Sequence, residues 1–235
     1  MQQPVYCCTG VANSRKPVLS SARSVELLEK NKPQQERAKR TYEAILASAA
    51  KLLVEVGIER ISTNLIAEEA GITVPALYRY FPNKYAVLNA LGAALMDRQN
   101  AVSQAWLEEH VDPENPLALV DELYELLEAT YRVTLEQTGG VEIIQSLRAV
   151  APLREVRLQS HALVASEFQE AMVEVLGETH REALALTARV AVDSGYAVVE
   201  MALEDERLPA EQVLKEGADM LRLYVINALE RLPAN

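Results

Sequence analysis

Residues 63 to 84 read Thr-Asn-Leu-Ile-Ala-Glu-Glu-Ala-Gly-Ile-Thr-Val-Pro-Ala-Leu-Tyr-Arg-Tyr-Phe-Pro-Asn-Lys, a stretch that leaves the chain few ways to fold. Thr63 stands where a hydroxyl can accept from the unpaired N–H groups that open a helix, and Ile66, Ala67 and Ala70 fall on one face of that helix. Gly71 supplies the backbone freedom of a sharp turn, and Thr73 caps the next helix. Val74 and Pro75 occupy the first turn of this second helix, where a missing N–H costs little. Leu77 and Phe81, four apart, face the core, which leaves Ala76, Tyr78, Arg79 and Tyr80 outside it or along its rim. Tyr78 and Tyr80 differ by roughly 200° around a helix, so at least one hydroxyl is expected at the surface. Pro82 stops the helix, and Asn83 caps a longer one whose first turn carries Lys84. A cation there opposes the helix dipole by about a few tenths of a kcal/mol, and becomes sensible if an external anion binds at the same spot. Two short helices around a tight turn, dressed with phosphate-seeking side chains, form a helix-turn-helix suited to DNA.

The segment from about Arg37 to Lys84 resembles the DNA-binding domain of the TetR family of transcriptional regulators. The matching pieces are the amphipathic first helix ending Val56-Gly57, the Thr63 to Ala70 helix, the Gly71-Ile72-Thr73 turn, and the run from Ala76 through Leu77-Tyr78-Arg79-Tyr80-Phe81 to Lys84. They cover about a fifth of the chain. The resemblance implies that Thr63, Tyr78, Tyr80 and Lys84 are phosphate-backbone anchors, while Thr73, Val74, Pro75, Ala76 and Arg79 lie where the recognition helix enters the major groove. The fork of Arg79 matches guanine O6 and N7, and a phosphate contact or a solvated position fits it equally. Arg37, Lys39 and Arg40 are expected to precede helix one, either reaching an adjacent minor groove or simply solvating the helix start. On these grounds Tyr78→Ala and Lys84→Ala are expected to weaken DNA binding on all sequences while leaving the fold intact.

A net charge of −11 looks wrong for such a protein until it is divided along the chain. Residues 1–98 hold 13 Lys and Arg against 9 Asp and Glu, a net of +4, whereas residues 99–235 hold 10 against 25, a net of −15. Eight of those 13 cations lie in the first 40 positions, so one end can seek phosphate while an acidic body discourages indiscriminate binding to polyanions. No apolar run of spanning length and no apolar leader block occurs, and the expected location is the cytoplasm.

Residues 1–34, rich in Ser, Pro, Gln, Lys and Arg, read as a flexible arm with a brief helical stretch at Ser24 to Lys30. Its adjacent Cys7 and Cys8 make a poor structural staple; they are incidental thiols of a reduced compartment or a redox switch. Helix one then sets Ile45, Leu46, Ala49, Leu52, Leu53 and Val56 at helical spacing, ended by Gly57. A long helix from Asn83 to about Glu109 joins the first domain to the rest, a physical lever. Helices are expected at about 116–137, 140–150, 152–176, 179–204 and 209–231, bounded by Pro113, Pro116, Gly139-Gly140, Pro152, Gly177 and Pro209. The chain is therefore expected to be all-α with about nine helices. It divides into the arm, a helix-turn-helix domain over 35–84, and a larger helical ligand-binding and dimerisation domain over 85–235.

In that larger domain the resemblance implies an inducer pocket and a dimer interface. Candidate pocket residues are Trp106, Tyr124, Leu127, Tyr131, Leu147, Arg148, Leu158, His161 and Phe168, residues of a kind found more often in an ordinary core than on a pocket wall; His161, Tyr124 and Arg148 are the polar picks. Such a lining suits a mostly apolar small molecule. The last two helices, with Leu184, Leu186, Val190, Val192, Val198, Val199 and Met201, then Val213, Leu214, Met220, Leu221, Leu223, Tyr224, Ile226 and Leu229, are apolar over more than one stripe. That surplus predicts a four-helix interface between two subunits. Asp193-Ser194-Gly195 is expected to interrupt the first of them, with Arg189 pairing with Asp193. His110, His161 and His180 show no metal-ligand spacing, and no catalytic motif or cofactor signature is present. The expectation is a homodimeric, ligand-responsive repressor on a palindromic DNA operator. Its rivals are a DNA-binding protein of the same fold acting through protein contacts in chromosome organisation and, more remotely, an all-α enzyme.

Overall fold

Apolar side chains recurring every three or four residues between glycine and proline breaks become helices in the computed structural model, which describes Leu27 and residues 35–112, 114–115 and 117–232. Apart from Leu27, the N-terminal arm with Cys7, Cys8 and the Ser24 to Lys30 stretch lies outside the described residues, as do Pro113 and Pro116. The described residues form ten α-helices and no strand: α1 Glu36–Arg60, α2 Thr63–Glu69, α3 Val74–Leu77, α4 Lys84–His110, α5 Ala118–Asp121, α6 Leu123–Glu136, α7 Gly140–Ala149, α8 Arg154–Leu176, α9 Arg181–Glu204 and α10 Ala210–Glu230. The expected 116–137 helix is two, α5 and α6, broken at Glu122 (φ −108°, ψ 23°), which brings the count to ten rather than nine. The expected interruption at Asp193-Ser194-Gly195 does not occur, because α9 runs through it unbroken. There Gly195 is buried against Leu127 of α6 and Leu221 of α10.

Two large apolar cores divide the described residues, with a small cluster of Val164, Ala165 and Val192 beside the second. The first gathers Ile45 and Leu53 of α1, Ile66 of α2, Leu77 of α3 and Phe81 around the N-terminal half of α4, and continues into Ile143 and Leu147 of α7 and Leu153 beyond it. Each such side chain stabilises the folded state by about 1.5–3 kcal/mol on burial. Leu147 seats directly on Gly92 of α4, where a Cβ would stand 2.6 Å from its Cδ2. Gly139, in the left-handed region (φ +68°), and Gly140 set α7 against its neighbours; added Cβ atoms would meet Ala50 O of α1 at 2.9 Å and Thr134 O at 2.0 Å. Leu27 packs against this first core as well.

The second core joins the C-terminal half of α4 to α5, α6, α8, α9 and α10. Between the cores lies a buried polar ladder: Gln99 Nε2 donates to Thr134 Oγ1 (2.7 Å), Thr134 Oγ1 to Thr130 O (2.8 Å), and Thr130 Oγ1 to Leu126 O (2.9 Å). Helix α4 belongs to both cores and is continuous through this boundary.

Candidate nucleic-acid interface and internal cavity

The helix-turn-helix is assembled from local signals. Ser62, not Thr63, caps α2, its Oγ accepting from Leu65 N at 3.3 Å. Thr63 sits one position inside the helix, and its Oγ1 instead meets the Tyr78 hydroxyl at 3.1 Å. Gly71 turns the chain at φ +64°, a value that favours glycine. Thr73 Oγ1 then accepts from Ala76 N (3.3 Å) and Asn83 Oδ1 from Ala86 N (3.0 Å), as their positions predict. Leu77 and Phe81 are fully buried, and Tyr42 of α1 stacks on Phe81 with ring centroids 5.2 Å apart.

That packing turns Thr73, Pro75, Tyr78 and Arg79 to the exterior, with Val74, Ala76 and Tyr80 half-buried beside them. Tyr78 is 41% exposed whereas Tyr80 packs edge-on to Tyr42, so the two tyrosines part as their spacing requires. Arg37, Lys39 and Arg40 do not precede helix one; they lie within the opening turns of α1, fully in contact with solvent.

Lys84 departs further from expectation. Its Nζ donates to Ile58 O (3.2 Å) and Ile61 O (3.1 Å), carbonyls at the end of α1, and stands 5.5 Å from the Tyr85 ring centroid. Both carbonyls lie past the break that Gly57 makes in the helix (φ +73°), and they satisfy the cation from within the chain, without an external anion. Lys84 therefore holds the start of α4 to the end of α1, and its replacement is not expected to leave the fold untouched.

Inside the second core a cavity opens between α5, α6, α8, α9 and α10, touching α4 at Ser103 alone. Of the nine candidate pocket residues, Leu127 and Phe168 line it and the other seven do not. Trp106 stacks on His110 (4.4 Å) and on Phe168 (5.9 Å), one layer behind the wall. Tyr124 lies under Lys215 Nζ, 5.6 Å from its ring, and Tyr131 packs half-buried on the second core. Leu147 belongs to the first core, and Leu158 is half-buried away from the cavity. Arg148 reaches Glu200 (2.8 Å), a buried carboxyl on α9 that desolvation pushes up and Arg148 and Arg157 pull down, for a net rise.

His161 is buried but backs the wall rather than forming it. Its ring stacks flat on Tyr196 (4.0 Å between centroids, 6° between planes), and Tyr196 does line the cavity. Nδ1 donates to Asp193 Oδ1 at 2.6 Å, since a carboxylate can only accept. Burial lowers the His161 pKa, Asp193 opposes, and Arg157 and Arg189 add to the lowering. Arg189 pairs with the other oxygen of Asp193 at 2.6 Å, as the spacing of four predicts. Burial also pushes the Tyr196 hydroxyl up to about 12. Sequence periodicity singled out neither Ser103 nor Tyr196; a lone small polar residue on the otherwise buried face of α4 was the available signal for Ser103.

Residues 45–91, the span from mid-α1 into α4, match the family described as bacterial regulatory proteins, tetR family. Over that span, about a fifth of its length, the chain is similar to the TetR family. Among relatives in that family, the tetracycline repressor protein class C of Escherichia coli is 44% identical over 54 residues, 23% of this chain and 25% of that protein. The HTH-type transcriptional repressor KstR of Mycolicibacterium smegmatis is 43% identical over 60 residues, 25% of this chain and 28% of its own length. The chain thus matches between 24% and 48% of the length of such curated relatives. The fold extends much further: the structure of a TetR-family regulator from Syntrophomonas wolfei matches 84% of this chain and 99% of its own, with a TM-score of 0.62 at 15% identity. Among the described residues no helix is long and apolar enough to cross a membrane.

Proposed function

We propose that the protein is a cytoplasmic transcriptional repressor that binds a palindromic DNA operator as a homodimer and is released by a small, mostly apolar effector. The observation that carries this is the continuity of α4, which begins against the helix-turn-helix and ends in the core that encloses an apolar cavity. In the DNA-bound state Thr63, Tyr78, Tyr80 and the cations of α1 serve phosphates, and Thr73 through Ala76 with Arg79 face the major groove. Lys84 acts chiefly by positioning α4. The 35–84 segment is the DNA-binding unit and 85–235 the effector and dimerisation unit.

Dimerisation is supported by apolar surface that the single chain leaves uncovered. Leu184, Val199, Leu214 and Leu221 are buried within the subunit, whereas Leu186, Val190 and Met201 lie along one stripe of α9 exposed to solvent, with Met220 and Leu223 exposed on α10. Two such faces form a four-helix contact whose two-fold axis sets the recognition helices about one DNA turn, roughly 34 Å, apart. An effector that prefers a dimer of different spacing shifts the population away from DNA. The test is selection of bound fragments from a random duplex pool at moderate salt. One enriched palindrome is expected, and only weak, steeply salt-dependent binding without enrichment would overturn the proposal.

A further inference from the structure

The cavity wall states what kind of molecule it can hold. On α8 its lining runs from Val164 to Leu176, about 18 Å of helix axis, and on α9 from Ala188 to Val199, so the space is drawn out along the bundle. No Asp, Glu, Lys, Arg or His is among the lining residues, and the nearby charges of Asp193, Arg189 and His161 are engaged with one another. Only three side chains offer polar atoms: Ser103, Thr130 and Tyr196. Thr130 donates to Leu126 O, and Ser160, beside the Tyr196 hydroxyl, lowers its pKa against the larger effect of burial. Ser103 is 4% exposed, and its Oγ has no hydrogen-bond partner among the described residues.

A hydroxyl buried without a partner is unfavourable, and it both donates and accepts. A carboxylate or ammonium brought into such a wall would surrender its hydration with no counter-charge to replace it. We infer that the effector is an uncharged, elongated apolar molecule with one hydrogen-bonding group, such as a long-chain alcohol, ketone or ester, anchored on Ser103 Oγ. This rests on the effector reading above and adds its chemistry. Because Ser103 belongs to α4, the single polar contact falls on the helix that continues to the DNA-binding unit.

Trp106, the one tryptophan of the chain, stacks on the cavity residue Phe168 and reports occupancy by its fluorescence. The full-length protein is titrated with decan-1-ol, decanoate and decylammonium at pH 8. Saturable binding of the alcohol is expected, at least about tenfold tighter than either ion. Ser103→Ala, which removes one oxygen and leaves the wall intact, is expected to weaken the alcohol about fivefold without lowering the thermal midpoint. Decanoate or decylammonium binding as tightly as the alcohol, absence of saturable binding by the alcohol, or unaltered alcohol affinity in Ser103→Ala would each overturn the inference. Operator affinity is measured alongside: alcohol binding that leaves the operator complex unchanged would refute the effector role while the ligand chemistry stands.

Discussion

Replacing Lys84 with methionine separates two roles that one lysine could play. The variant keeps the stem beside Tyr85 and removes the ammonium, and with it the donors to Ile58 O and Ile61 O at 3.2 and 3.1 Å. Hydrogen bonds to a charged group are worth about 1.5–3 kcal/mol each. Lys84 is half-buried, so water re-satisfies part of what is lost, and halving the pair leaves about 2 kcal/mol. For a chain of this length that corresponds to a fall of about 4–8 °C in thermal midpoint. Far-UV circular dichroism melting of the two proteins measures it, beside operator affinity by fluorescence anisotropy. A midpoint within about 1 °C of the parent together with collapsed operator affinity would refute the positioning role and return Lys84 to the simple phosphate anchor that its sequence position suggests.

The paired change Leu186→Asp with Leu223→Asp puts charges on side chains that are 70% and 65% exposed in the single chain; it is expected to yield folded monomers by sedimentation and to cost operator binding at least about a hundredfold, and a variant that stays dimeric would dismiss this face as the interface. His161 is held neutral by burial, so between its lowered folded pKa and the ordinary value of 6.5 the unfolded chain binds more protons than the folded one. Stability from this group is therefore complete above 6.5 and is lost as pH falls through that window. The urea midpoint is expected to drop from pH 7.5 to 5.5 by more in the parent than in His161→Gln, and a parent midpoint that rises instead would show the imidazolium–Asp193 pair prevailing over desolvation.

What the sequence disclosed depended on how far each interaction reaches along the chain. The caps at Thr73 and Asn83 are contacts across three residues, and the Arg189–Asp193 pair spans four, so all were legible. Ser62 and Thr63 are adjacent hydroxyl residues, and local chemistry could not say which one caps α2. The partners of Lys84 are backbone carbonyls 26 and 23 positions away, invisible to any pattern of side chains. Arg148 was drawn off by Glu200, 52 positions on, and the break at Glu122 carries no glycine or proline to announce it. Periodicity identified apolar faces reliably but could not tell which face meets another helix and which meets empty space. Leu147 lies in the first core and Tyr196 on the cavity wall, although both sit on apolar helix faces.

The seat of Leu147 on Gly92 has a consequence for engineering. The first core does not close at the end of the helix-turn-helix; it borrows Ile143, Ile144, Leu147 and Leu153 from a segment more than fifty residues further along. A chimera that transplants residues 35–110 onto another protein of this fold would place its α4 against a foreign α7, and a host side chain of another shape in place of Leu147 would no longer fit the surface at Gly92. Interchangeable heads for this scaffold therefore have to be cut as two pieces, the N-terminal helices together with residues 140–153, and grafted as a matched set.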